Sequence, residues 1–187
     1  VIPRSKVIGI GKNYADHVSE MGGEVPAEPL VFLKPNTSVI GPNEPIFYPS
    51  QSTNVHFEGE LAVVIGRICK DVPVEDAAKV IYGYTIANDV TARDLQAADG
   101  QWARAKGCDS FCPLGPWIET DFDPSAVRIQ TSRNGETKQD SNASAMVFSV
   151  AEIVAPVSSF MTLLPGDVIL TGTPEGVGPM LPGDAVV

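Results

Sequence analysis

Short apolar runs, separated by glycine, proline and polar clusters, set the rhythm of this chain. Val7-Ile8-Gly9-Ile10 and Val31-Phe32-Leu33 read as short strands, the second halted by Lys34-Pro35. The stretch Val55-His56-Phe57-Glu58-Gly59-Glu60-Leu61-Ala62-Val63-Val64-Ile65 reads as a strand entering a core, because its second half is apolar and β-branched. Tyr84 to Asp89, Gly115 to Glu119 and Val127 to Ser132 read as further strands, and Asn134-Gly135 after the last is the strongest short hairpin signal. Helical spacing is rarer. Asn13 to Met21 fits a helix stopped by Gly22-Gly23. Asp71 and Pro73 open a second, in which Ala77, Ala78, Ile81 and Tyr82 form one apolar stripe ended by Gly83. Thr91 to Asp99 reads as a short helix. Ser149-Val-Ala-Glu152 fits a capping box opening another, which Pro156 should kink at a cost of about 3 kcal/mol if it sits mid-helix.

Between these elements, residues 22–29 are rich in Gly and Pro with two glutamates, a composition suited to a mobile segment. Pro42, Pro45 and Pro49 punctuate an extended region. Leu164-Pro-Gly-Asp-Val-Ile returns as Leu181-Pro-Gly-Asp-Ala-Val; Pro followed by Gly suits the centre of a type II turn, so each copy should launch a strand. Many short strands with three or four modest helices predict an α+β, mainly β fold.

Composition narrows the partners. With 187 residues and 43% hydrophobic content the chain can bury one substantial core, and a single domain over 1–187 is expected. It opens on Val1-Ile2-Pro3 and closes on Gly183-Asp184-Ala185-Val186-Val187, which reads as a strand cut short, so the expectation is a fragment whose missing termini could complete the sheet. A net charge of −10 argues against nucleic acid or an anionic membrane surface as partner, while a local cation can still draw a small anionic substrate into a cleft. Cys69, Cys108 and Cys112 lack zinc-site spacing and read as thiols of a reducing compartment. No run of about 18 apolar residues and no signal peptide stands out, so a soluble, cytoplasmic protein is expected.

The chemistry begins with Glu58 and Glu60. Side chains alternate along a strand, so both carboxylates point to one face, and like charges leading into a core need something positive between them. Asp89, ending another predicted strand, offers a third acidic oxygen, the donor type of Mg²⁺ or Mn²⁺. His56 shares the face of Glu58 and Glu60, and a His56-Glu58-Glu60 set would favour a softer metal; spacing leaves both sets open. His17 and Glu20 stand three apart on the first predicted helix, where a carboxylate can orient an imidazole to activate water; a solvated helix face with a weak ion pair is the alternative. Arg93 and Gln96 repeat that spacing and could hold a carboxylate, and Lys106 is another candidate anion partner, each with an ordinary surface role as the alternative. Thr171-Gly-Thr-Pro-Glu-Gly-Val-Gly178 is a glycine-rich loop that lets backbone N–H groups approach a ligand, and it matches no nucleotide motif.

Taken together, Gly11-Lys-Asn-Tyr-Ala-Asp-His17, Phe32-Leu-Lys-Pro35, Glu58-Gly-Glu60, Asn88-Asp-Val-Thr-Ala-Arg-Asp94 and Leu164-Pro-Gly-Asp-Val-Ile-Leu-Thr-Gly-Thr-Pro-Glu-Gly-Val-Gly178 closely resemble the fumarylacetoacetate hydrolase superfamily, in order and over nearly the whole chain. The resemblance implies a mixed β-roll or β-sandwich fold, usually dimeric, with one Mg²⁺ or Mn²⁺ per site. Carried over by position, Glu58, Glu60 and Asp89 would be the metal ligands, and His17 with Glu20 the water-activating dyad on a lid. Lys106, Arg93, Gln96 and Thr173 fall where the family meets its substrate. Where some members carry a further metal-binding Asp before the dyad His, this chain reads Ile10-Gly-Lys-Asn13, which resembles the three-carboxylate branch acting on acylpyruvates and oxaloacetate. The implied activity is hydrolysis or decarboxylation of small 2-oxo acids through a metal-stabilised pyruvate enolate. An isomerase of 2-hydroxyhepta-2,4-diene-1,7-dioate-type intermediates from aromatic catabolism would use the same electrostatics. A rival of another class is a non-catalytic module that binds a divalent ion or senses a keto acid.

Overall fold

The structure is a computed structural model that describes residues 5–187; the opening Val1-Ile2-Pro3 lies outside the described residues. In chain order the elements are β1 (Val7–Gly11), α1 (Ala15–Glu20), β2 (Leu30–Lys34), β3 (Val39–Ile40), β4 (Val55–Phe57), β5 (Gly59–Ile65), β6 (Ile81–Asn88), β7 (Thr91–Ala92), α2 (Arg93–Asp99), α3 (Ala103–Lys106), β8 (Cys112–Glu119), β9 (Arg128–Arg133), β10 (Glu136–Asn142), α4 (Val150–Phe160), β11 (Val168–Leu170) and β12 (Gly178–Pro179). Seven strands form the main sheet in the order β2-β1-β11-β5-β6-β8-β3; β12-β4-β7 make a second sheet and β9-β10 a hairpin. The result is the mainly β, α+β architecture that the alternation predicts.

Two clusters hold the layers together. Ile153, Val154 and Val157 of α4 pack with Ile8, Ile10, Val63, Ile65 and Ile169 on one face of the main sheet. Each such buried aliphatic side chain contributes about 1.5–3 kcal/mol. Val55, Phe57, Val90, Leu95, Ala105 and Phe111 form the second cluster, which ties the small sheet to α2 and α3. Among the described residues all three cysteines are free, and burial pushes the Cys112 thiol up to about 12.

Several boundaries differ from the sequence reading. The stretch 55–65 is not one strand: it breaks at Glu58, β4 joining the small sheet and β5 the main one. The apolar stripe over 71–83 yields only a 3-10 turn, Val74–Lys79, because Ile81 and Tyr82 already belong to β6. Thr91–Ala92 is a strand, and α2 starts at Arg93, two residues later than expected. The first helix is shorter than 13–21, and residues 22–29 run without regular structure.

Other signals hold. α4 carries the full Ser149/Glu152 capping box and continues through Pro156 to Phe160. The Asn134-Gly135 turn has both residues at positive φ, 55° and 80°, as a primed hairpin turn requires. Both Leu-Pro-Gly-Asp copies close through their Asp: Asp167 Oδ2 accepts from Leu164 N at 2.7 Å and Asp184 Oδ2 from Leu181 N at 2.8 Å. The first launches β11, and the second leads into residues 185–187, which pair with β9.

Candidate metal centre and active site

The break at Glu58 builds the site. Asp89 N donates to the Glu58 carbonyl at 2.8 Å, and Asn88 Oδ1 accepts from Glu58 N at 2.9 Å, so two acidic residues are fixed side by side through their main chains. Gly59 is held from both directions: its N–H donates to Gln139 Oε1 at 2.9 Å, and its carbonyl accepts from the Thr173 hydroxyl at 3.0 Å. A Cβ at position 59 would lie 2.0 Å from Thr131 Oγ1, so the chain passes there only as glycine. One carboxylate oxygen each from Glu58, Glu60 and Asp89 then lies within 4.8 Å of the others, all three residues buried. His56 stays outside this set. Its Nε2 pairs with Asn54 Oδ1 at 2.9 Å, and burial, then the Arg93 charge, pushes its pKa down to about 4. The all-oxygen alternative is the one that assembles.

Three cations face these acids, Lys34 and Lys106 buried and Arg93 partly so. Lys106 Nζ donates to Glu58 Oε2 at 2.8 Å and Asp89 Oδ2 at 2.6 Å, lying also over the Phe32 ring. Burial opposes its charge, yet Asp89 and Glu58 overcome that and raise its pKa, so Lys106 is a fixed cation rather than a proton acceptor. Lys34 Nζ donates to Asp89 Oδ1 at 2.5 Å. Arg93 contacts Glu58 Oε1 at 2.5 Å as an ion pair, donates from NH1 to Gln96 Oε1 at 2.9 Å, and leaves Nε and NH2 without an aligned hydrogen-bond acceptor. Burial would raise the Glu58 carboxyl, but Lys106 and Arg93 outweigh it and hold that group well below the usual carboxylate range. Glu60 is the odd one out. No basic side chain pairs with it among the described residues; burial, Asp89 and Glu58 push its carboxyl well up, against the more distant Lys106 charge and one hydrogen bond from Gly172 N at 2.7 Å. Gly172 reaches it at φ 94°, where a Cβ would lie 2.8 Å from Asn13 Cβ.

α1 brings the predicted dyad to the same place. His17 is buried, and its Nδ1 lies 3.2 Å from Glu20 Oε2. A carboxylate only accepts, so Nδ1 donates and the lone pair sits on Nε2. Glu20 also accepts from Gly176 N at 3.3 Å, which docks the end of α1 on the glycine-rich loop. A cavity of about 210 Å³ is lined by His17, Glu58, Glu60, Asp89, Arg93, Gln96, Lys106 and Thr173, with Ile10, Gly11, Lys12, Val18, Met21 and Trp102 completing the wall. Eight of the nine predicted site residues therefore share one wall, and Glu20 joins through His17. The Thr173 hydroxyl is spent on Gly59, and its oxygen accepts from Gln139 Nε2 at 2.7 Å.

The donor set fits a hard divalent cation. Three carboxylates from two segments converge, Glu60 lacks an ion-pair partner, and each oxygen keeps lone-pair capacity beyond its present bond. Two residues of this centre escaped the sequence reading as individuals. Lys34 stood in a quoted motif without a role, and Gln139 had no signal at all. The clue for Lys34 was a lysine closing an apolar strand, a position that burial leaves charged only beside an acid.

A profile described as "Fumarylacetoacetate (FAA) hydrolase C-terminal" matches residues 6–187. Protein Rv2993c of Mycobacterium tuberculosis is 60% identical over 185 residues, covering 97% of this chain and 70% of its own length. Among solved structures, 5-carboxymethyl-2-hydroxymuconate delta-isomerase from Mycobacterium smegmatis superposes with TM-score 0.91 at 62% identity, covering 97% of this chain and 72% of that one. Fumarylpyruvate hydrolase from Pseudomonas aeruginosa, solved with Mn²⁺ and pyruvate, gives TM-score 0.91 at 36% identity, covering 97% and 82%.

Proposed function

The chain belongs to the fumarylacetoacetate hydrolase superfamily, and from that premise we propose that it is a Mg²⁺- or Mn²⁺-dependent enzyme that hydrolyses acylpyruvates or decarboxylates oxaloacetate. The observation that carries this reading is the meeting of three buried carboxylates with a docked His17–Glu20 pair on one small cavity. Glu58, Glu60 and Asp89 would hold a divalent cation, which would supply positive charge where the 2-oxo acid becomes more negative as it reacts.

The side chains divide the remaining work. The Arg93 guanidinium, paired with Glu58 through NH2 but with Nε lacking an acceptor, binds and orients the substrate carboxylate with Gln96 beside it. Lys106 adds a fixed positive charge to the same wall. His17 Nε2 takes a proton from water, whose oxygen attacks the distal carbonyl; Glu20 keeps the imidazole in the required tautomer. Cleavage of the bond to carbon 3 leaves its electron pair on the pyruvate fragment as an enolate, and His17 returns the proton to carbon 3. Decarboxylation of oxaloacetate uses the same charges and needs no attacking water. The cavity's 210 Å³ is below the ~300–1,000 Å³ of drug-sized sites, which favours small acids.

A second reading, isomerisation of an unsaturated 2-oxo dioate, is favoured by relatives named as isomerases at 62% and 56% identity. Both rest on the same electrostatics and differ in the bond that changes. A panel of acetylpyruvate, fumarylpyruvate, oxaloacetate and a 2-hydroxy-diene dioate, assayed with Mg²⁺ and Mn²⁺, separates them: pyruvate or CO₂ release supports the first, a double-bond shift alone the second. Glu58→Ala is expected to abolish whichever activity is found. Full activity of that variant in metal-buffered assays would remove the reading. As assembly we propose a homodimer.

A further inference from the structure

This chain has seven lysines, and six of them, Lys6, Lys34, Lys70, Lys79, Lys106 and Lys138, have a carboxylate within ion-pair distance. Lys12 alone has no acidic partner among the described residues. In a chain of net charge −10 a lysine without an acid is the exception, and this one lines the cavity of the candidate active site.

The backbone delivers it there under constraint. Lys12 has φ 60°, a conformation that a side chain with a Cβ disfavours. The next residue enforces it. Asn13 is fully buried; its Nδ2 donates to Phe148 O at 3.0 Å and Thr171 O at 2.8 Å, its Oδ1 accepts from Phe148 N at 2.8 Å, and its carbonyl accepts from Val147 N at 2.8 Å. On the other side Gly11 lies so close under Trp102 that a Cβ would stand 2.5 Å from the ring. Lys12 is thus an over-determined left-handed residue at a cavity wall, the setting in which strain is retained for a purpose. Its ammonium lies 3.1 Å from where a Cβ on Gly23 would stand, beside the turn that ends α1.

Charge counting points the same way. Arg93, Lys34 and Lys106 equal Glu58, Glu60 and Asp89 in number, and the first three are committed to Glu58 and Asp89. A divalent cation added to that neutral set, together with Lys12, leaves an excess that two substrate carboxylates offset better than one. We propose that Lys12 is a specificity-determining residue that binds the distal carboxylate of a 2-oxo dicarboxylate. This rests on the reading of the cavity as a 2-oxo acid site.

Calorimetric binding in the presence of Mn²⁺ tests it with 2-oxoglutarate and its monoanionic relative 2-oxopentanoate. A charged hydrogen bond predicts that the wild-type chain binds 2-oxoglutarate about tenfold to hundredfold tighter. Lys12→Met and Lys12→Gln lose that ratio and leave the affinity for 2-oxopentanoate within about twofold, whereas Lys12→Arg keeps most of the preference. A structural role would change both affinities together. Equal wild-type binding of the two acids, or a preference that survives in Lys12→Met and Lys12→Gln, overturns the proposal while leaving the 2-oxo acid site standing. Binding of neither acid to the wild type removes both.

Discussion

Glu60 differs from Glu58 and Asp89 in what faces it. Lysine and arginine side chains pair directly with the other two, whereas Glu60 meets two carboxylates and one backbone amide, with Lys106 beyond ion-pair distance. Without a bound cation it is a buried acid among like charges, and its presence works against the fold. Glu60→Gln keeps the shape and removes that charge. The metal-free variant is expected to be at least as stable as wild type. Mn²⁺ at about 100 times its dissociation constant should raise the wild-type melting temperature by about 5–10 °C, and the variant's hardly at all. Thermal scans with and without Mn²⁺ make the comparison. An equal Mn²⁺ response in both proteins would show that Glu60 does not hold the ion.

The hairpin β9–β10 is the element whose link to the site is least expected. Its Gln139 is fully buried and reaches three ways: to Gly59 N, to the Thr173 hydroxyl and, at 2.8 Å, to Pro174 O. One side chain therefore positions both the peptide between the two glutamates and the glycine-rich loop. Gln139→Leu strands those partners, and a loss of about 2–4 kcal/mol in denaturant unfolding is expected. A weakening of Mn²⁺ affinity by about tenfold or more should accompany it, as for residues that orient metal ligands. Lost stability with unchanged Mn²⁺ affinity would confine the hairpin to a structural role. Gln139 also marks where the sequence stops being readable. Glu58 and Glu60 are visible because strand alternation is a local rule, as are the Asn134-Gly135 turn and the Ser149 cap. Gln139 and Lys34 act across 80 and 55 residues of chain, and only the fold brings them to their partners. The stripe at Ala77, Ala78, Ile81 and Tyr82 misled for a related reason. Its last two residues belong to β6, where Ile81 pairs with Ile65 of β5, and that strand pairing overrides the helical period.

At the scale of the whole molecule, the surface is uneven. Tyr82 and Ile86 on β6 and Trp117 and Ile118 on β8 are exposed at 58%, 64%, 71% and 44%. Ile86 and Trp117 border a groove of about 520 Å³ that Tyr84, Phe122 and Ile129 continue. β8 pairs with β3 only at Cys112 and Pro113, so beyond them its outer edge has no strand partner among the described residues. An apolar strip beside an open sheet edge invites a second chain. Arg128 and Glu119 lie on the same groove, so its lining carries both signs and can complement its own copy about a two-fold axis. The proposed homodimer follows from this face. Sedimentation equilibrium should give twice the chain mass, and Ile86→Glu combined with Trp117→Glu should give monomers, because burying two carboxylates in an interface core costs more than such a contact returns. Glu60 lines both this groove and the candidate active-site cavity. Dissociation would therefore uncover the strand that carries this proposed metal ligand, and monomers should bind Mn²⁺ more weakly than the dimer. A double variant that remains a dimer would place the interface elsewhere, and monomers with undiminished Mn²⁺ affinity would separate assembly from the metal centre.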